Sequence, residues 1–186
     1  AIDIPGTAEP VAVTVTGHGN STWGSSPKQS MRLKFSSATS LMGFPAEKTY
    51  RLLANYFDQT FVRNAMAFEI ARRTFNMWTP KVAMCEVFVD GVYQGVYQLA
   101  EPVKASANRL QITPSKTATD AASGTYMLEV NQRMETEGKI GARTVPSNVP
   151  VQFEEPEDPD AAQQAYMSAH MNAFDAALMG GNFRDP

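Results

Sequence analysis

The sequence predicts an α+β fold: an antiparallel sheet with a packed helix, and a further helix near the C-terminus. Three observations carry this reading. Short β-branched and aromatic runs alternate apolar and polar residues through the first half of the chain. Asp90-Gly91 sits between two such runs, a strong hairpin signal because both turn positions tolerate positive φ. Two longer segments repeat apolar residues at helical rather than strand spacing.

Val11 to Thr16 is β-branched and alternating, which predicts a strand. Gly17 to Pro27, rich in Gly, Ser and Asn, predicts a loop. Met31, Leu33 and Phe35 then alternate with Arg32 and Lys34, a second strand, and Tyr50–Ala54 gives a shorter third. Asp58 is an N-cap for a helix running to about Phe75. Its apolar stripe is Phe61, Ala65 and Phe68, flanked by Val62, Met66 and Ile70. Pro80 closes that connection, and Cys85–Leu99 forms the hairpin. Ala100–Asn108 leaves it as a connector, 114–124 reads as a Ser/Thr/Ala/Gly-rich mobile loop, and Tyr126–Val130 as another strand. The segment Glu154-Glu155-Pro156-Glu157-Asp158-Pro159 reads as an acidic, proline-broken joint. Asp158 as N-cap with Pro159 at the first helical position opens the last helix, whose stripe is Met167, Met171, Phe174 and Leu178 and whose stop is Gly180. The expected organisation is one lobe over residues 1–153, with 154–186 holding the joint and the start of a helical region.

Composition excludes several function classes. A chain of 186 residues with 43% apolar residues can bury a core, which excludes general disorder. A net charge of −3 lacks the basic footprint of nucleic-acid binding. One cysteine, Cys85, and two histidines, His18 and His170, exclude a disulfide framework and thiolate- or imidazole-rich metal sites. Cys85 lies in an alternating apolar run and reads as a buried, inert thiol. No apolar run is long enough to span a membrane.

Strand, Gly-rich loop, strand with Lys and Arg, helix, hairpin and connector form the order of a nucleotide-binding lobe. In Gly17-His18-Gly19-Asn20-Ser21-Thr22-Trp23-Gly24, small residues let backbone approach phosphates, with Gly19, Asn20 and Ser21 the candidates for contact. The competing reading is a hairpin loop anchored by Trp23. Lys34 offers a point charge for a polyphosphate, Glu69 a carboxylate to hold it, and Arg63 a direct phosphate contact. Lys34 and Arg32 on a solvated face are the plainer alternative.

Five motifs in order resemble the CotH family, named for spore coat protein H. They are Gly17–Trp23 with Pro27–Phe35; Leu52–Asp58 with Val62-Arg63-Asn64; Val87–Glu101; Asn108-Arg109-Leu110; and Gly124–Glu129. The resemblance covers about residues 15 to 131. It implies a divergent kinase-like N-terminal lobe in an atypical protein kinase that uses ATP and Mg²⁺ and phosphorylates Ser or Thr of a secreted or spore-coat protein. Extracytoplasmic location follows from the same resemblance. Lys34 and Arg63 would then face the phosphates, and Glu101 would lie near the adenine.

The family's later carboxylate region, with its Trp-Asp-x-Asp-like segment, has no counterpart: the Trp-x pairs are Trp23-Gly24 and Trp78-Thr79, and Asp175 and Asp185 are isolated. Asn131 stands where an acidic residue is common. The expectation is therefore the N-terminal part of a longer kinase, with weak or absent transfer on its own. The alternative is an extracellular adhesion or structural coat module on the same scaffold, without catalysis.

Overall fold

The alternation in the first half of the chain becomes β1 (Val13–His18), β2 (Ser30–Thr39), β3 (Glu47–Leu53), β4 (Val82–Val89) and β5 (Val92–Ala100). The computed structural model describes residues 3, 9–75, 78–112 and 121–180, with backbone only at Ser21. The five strands pair antiparallel in the order β1-β2-β3-β5-β4. Asp90 (φ 49°) and Gly91 (φ 78°) make the tight turn that joins β4 to β5. Val87 faces Gly95 but Phe88 faces Tyr93, so Gln94 is the extra residue of a bulge.

Register separates the two faces of this sheet. One carries Leu33, Phe35, Tyr50, Leu52, Tyr97 and Leu99, which bury with Leu41, Phe44 and Ala54 as the core. Full burial of such a side chain is worth about 1.5–3 kcal/mol. The Tyr50 ring sits edge-on to Phe35, and its hydroxyl donates toward the Thr39 and Pro45 carbonyls, 2.7 Å from each. The other face is polar and falls into rows. His18 stands opposite Ser30, and Leu53 opposite Gln98. Thr16, Arg32, Arg51, Ala100 and Val82 form the next row, and Thr14, Lys34 and Thr49 the one after.

Two helices accompany the sheet in sequence. α1 (Ser21–Ser25) is a short turn inside the expected loop. In α2 (Arg63–Phe75), Ala65 and Phe68 are half-buried, whereas Val62 before it and Met66, Ile70 and Phe75 within it are exposed. The helical spacing reported an amphipathic helix, and it holds no information on which part of the stripe is covered. Phe61 precedes the helix at φ 59°. Asp58 still serves the helix start, at longer range than an N-cap: its Oδ2 accepts from the Arg63 amide at 3.0 Å.

Contacts divide the chain into two compact units, Ala1–Gln111 and Ile112–Pro186. The second contains β6 (Met127–Val130), β7 (Gly141–Arg143), β8 (Pro150–Glu155) and α3 (Ala161–Met179), with strand order β6-β8-β7. β8 takes up the first residues of the expected acidic joint and is central, with Pro150, Val151, Gln152 and Phe153 buried. The cap of α3 is Asp160, not Asp158. Asp160 Oδ1 accepts from the Gln163 amide at 2.8 Å and Gln163 Oε1 accepts from the Asp160 amide at 2.9 Å, a reciprocal capping box. Pro159 therefore precedes the cap. Met167 of the expected stripe is buried and Met171 half-buried, but Phe174 and Leu178 are exposed. Asp175 is turned inward and accepts from the Ser147 amide (2.8 Å) and hydroxyl (2.6 Å). Residues 114–120 of the expected loop and the terminal 181–186, including Asp185, lie outside the described residues. Among the described residues no helix is long and apolar enough to cross a membrane.

Candidate functional site

A cleft of about 370 Å³ opens at the end of the five-stranded sheet, lined by His18, Gly19, Thr22, Ser26, Lys28 and Ser30 on one side and by Leu53–Asp58, Arg63 and Asn64 on the other. That volume lies within the range of small-molecule sites. Gly19 supports the turn out of β1 at φ 107°, where a Cβ would stand 2.7 Å from Thr22 Oγ1. Gly17 lies against the Trp23 ring, with 2.5 Å between a built Cβ and the indole, so Trp23 does anchor the loop. The opposite wall is knitted by Asp58, whose Oδ1 accepts from the Thr60 hydroxyl (2.6 Å) and amide (3.1 Å) and lies 3.5 Å from Arg63 Nε. The Thr60 hydroxyl and these amides hold the Asp58 carboxyl below its ordinary pKa.

The floor is an amide cluster. Gln98, fully buried, accepts through Oε1 from Asn55 (3.2 Å) and Asn64 (3.3 Å), and Asn64 also donates to Asn55 Oδ1 at 3.2 Å. Asn55 takes φ 47°, a conformation Asn tolerates better than most residues. Ser30 Oγ accepts from the Ala54 amide at 2.9 Å and ties the two walls together.

Lys28 is the most distinctive cation of the cleft. Ser26, buried, fixes its backbone by donating to the Lys28 carbonyl (2.7 Å) and accepting from the Lys28 amide (3.2 Å). Lys28 is half-buried as a residue, and its ammonium sits 4.3 Å from the Tyr97 ring centroid and 5.3 Å from that of Phe61 and donates to the Val96 carbonyl. No carboxylate of the described residues lies within ion-pair distance of it. Burial lowers its pKa. One of the three ammonium donors is used on Val96, so others are free for a ligand. Lys28 also borders a second cavity of about 460 Å³, lined with Gln29, Met31, Tyr93 and Tyr97. Lys28 lies inside the Pro27–Phe35 motif, where strand alternation points to Lys34 instead. The signal that identifies Lys28 is spatial: two aromatic rings brought from distant segments.

The other candidates disperse. Gly19 and Arg63 line the cleft, and Asn20 lies next to Gly19 as the exposed residue before α1. Ser21 opens α1 through its backbone. Lys34 is exposed on the polar face, about 13 Å along β2 from Ser30 at the usual strand rise. Glu69 does not pair with it: Glu69 binds Arg73 at 2.6 Å and Arg72, all on α2. Glu101 is buried, accepts from the Lys81 amide at 3.0 Å, and lies 3.7 Å from Arg109 Nε. Asn131 donates to Gln152 Oε1 (2.8 Å) and Glu137 Oε2 (3.0 Å). Cys85 is half-buried, and burial raises its thiol pKa, as befits an unreactive group. Among the described residues no three His, Cys, Asp or Glu side chains converge as a metal site. Asp58, the carboxylate at the cleft, is already committed to Thr60 and Arg63, so the residues lining the cleft do not fit a divalent metal.

A Gly-containing loop, the unpaired Lys28 and the Asp58-paired Arg63 line a cleft at the end of an antiparallel sheet in an α+β protein. The family model described as CotH kinase protein matches residues 15–183, and the chain belongs to the CotH kinase family. Its function is accordingly kinase-related. No curated protein matches the chain.

Proposed function

We propose that the cleft between the Gly17–Ser30 segment and the Ala54–Asn64 segment binds ATP, with Lys28 and Arg63 meeting its phosphates. The observation that carries this reading is the Lys28 ammonium, held between two rings without a carboxylate and bordering a cavity large enough for a nucleotide moiety. Anion binding is the electrostatic complement of that arrangement. The family membership supports a protein substrate; in this reading the protein would phosphorylate Ser or Thr of a secreted or spore-coat protein and would lie outside the cytoplasm. Phosphoryl transfer also needs a positioned divalent metal and a carboxylate to orient the hydroxyl. The residues lining the cleft do not supply that set, so nucleotide binding is the share of the activity assigned to them.

Photo-crosslinking with 8-azido-ATP followed by peptide mapping tests the location. Labelled peptides from 17–31 or 54–64 support it, and labelling confined to other segments, or none that unlabelled ATP competes away, refutes it. Transfer of labelled γ-phosphate to a Ser-rich acceptor, with Mg²⁺ present, tests the kinase step separately.

A further inference from the structure

Beyond the cleft, the polar face of the first sheet has a charge arrangement that is incomplete without a ligand. The register sets Arg32 directly opposite Arg51 on neighbouring strands. Like charges in that position repel. Neither guanidinium has a carboxylate within 4.0 Å among the described residues. Arg32 uses its Nε on Thr16 Oγ1 at 3.0 Å. Arg51 is half-buried, and its Nη1 is shielded from solvent without a hydrogen-bond partner. A guanidinium does not shed its proton, so this buried donor stays charged.

The nearby acids are spent elsewhere. Glu101 and Glu47 lie 3.7 and 4.0 Å from Arg109, which adds positive charge near Arg51. His18 stands one row away, and its pKa is lowered chiefly by burial and then by Arg51 and Arg32. Lys34 extends the field in the row beyond.

We propose that Arg32 and Arg51 together bind a phosphate group on this face, with the Thr16 hydroxyl and His18 at its edge. A multiply charged oxyanion relieves the Arg–Arg repulsion and accepts from both planar forks at once. The phosphate can come from a nucleotide reaching up from the cleft or from a free inorganic polyanion. The site needs neither ATP nor the cleft reading to stand.

The test is a titration of the 186-residue chain with inorganic pyrophosphate at constant ionic strength set by chloride, followed through the Nε–Hε signals of Arg32 and Arg51 and the thermal midpoint. Both signals should move with one saturation curve, and the midpoint should rise above that in chloride alone. Arg51→Met should weaken pyrophosphate at least tenfold while leaving the free protein folded, because it removes a repulsion. Arg32→Gln gives the same readout should Arg51→Met fail to fold. Arg73→Gln, with the same loss of charge on α2, should bind as the parent does. No response beyond chloride, or equal binding by the Arg51 and Arg73 variants, overturns the site. A parallel ATP titration separates the sources. If ATP moves the same two signals, nucleotide phosphates reach this row. If pyrophosphate moves them and ATP does not, the site is one for free polyanions, and the nucleotide reading of the cleft is left to its own crosslinking test.

Discussion

Removing Arg109 should cost more stability than any surface substitution, and the structure says why. Its guanidinium is fully buried, donates to the Thr49 carbonyl at 2.6 Å, and lies 5.5 Å from the Tyr50 ring centroid. Glu101 opposite it is 1% exposed and accepts from the Lys81 amide. Arg109→Met therefore strands a carboxylate in the interior, at a cost of about 3–5 kcal/mol. That is a large part of the roughly 5–15 kcal/mol that holds a typical domain folded. Glu101→Gln/Arg109→Met removes both charges and should recover about half of the loss. Both tryptophans, Trp23 and Trp78, belong to the Ala1–Gln111 unit, so indole fluorescence during urea unfolding reports that unit. With a slope of about 2 kcal/mol/M, Arg109→Met should lower the midpoint by roughly 2 M. A loss below about 1 kcal/mol, or a double variant no better than the single one, would refute the reasoning.

Three further outcomes follow from single contacts. Asp175 is hydrogen-bonded as a carboxylate by the Ser147 hydroxyl and amide, which lowers its pKa. Its stabilisation is present above its unfolded pKa, near 3.9, and is lost as pH falls through the lower folded value. Asp175→Asn should thus speed hydrogen exchange at the Ser147 amide at neutral pH and flatten its acid dependence; unchanged exchange would contradict this. Gly95 has φ 90°, and a built Cβ lies 3.3 Å from Lys28 Nζ, so Gly95→Ala should destabilise by about 1 kcal/mol or more in the same urea assay. Cys85, its thiol pKa raised chiefly by burial, should react with a disulfide reagent at pH 8 far more slowly in the folded protein than in urea; equal rates would show the thiol to be open.

Local signals in the sequence carried the first sheet further than the cleft. Asp90-Gly91 and the alternation of Met31–Phe35 encode turn and strand within a few residues, and both appear where expected. The central strand β8 has no such signal. Pro150-Val151-Gln152-Phe153 is buried as a continuous run, so nothing in it alternates. Asp160 and Gln163 already spell a capping box, but Pro159 beside Asp158 offered a competing start of helix.

Charged residues were harder to place for a physical reason. Lys28 and Lys34 look alike in sequence, and only the approach of Tyr97 and Phe61 distinguishes the first. Glu101 and Arg51 depend likewise on partners, or on the lack of them, set by strand pairing: Arg109 stands beside the carboxylate, whereas Arg51 faces a second arginine. The exposed Met66 and Ile70 show the same limit for apolar residues, since helical spacing names a face and not what covers it.

The central claim is that the cleft holds a nucleotide through its unpaired lysine. Calorimetric titration of ATP into the chain and into Lys28→Met tests it most directly. A charge-assisted contact is worth about 1.5–3 kcal/mol, so the substitution should weaken binding roughly tenfold to a hundredfold with the fold intact by far-ultraviolet circular dichroism. Equal affinity in the two proteins, or no ATP binding by the parent chain, would contradict the account.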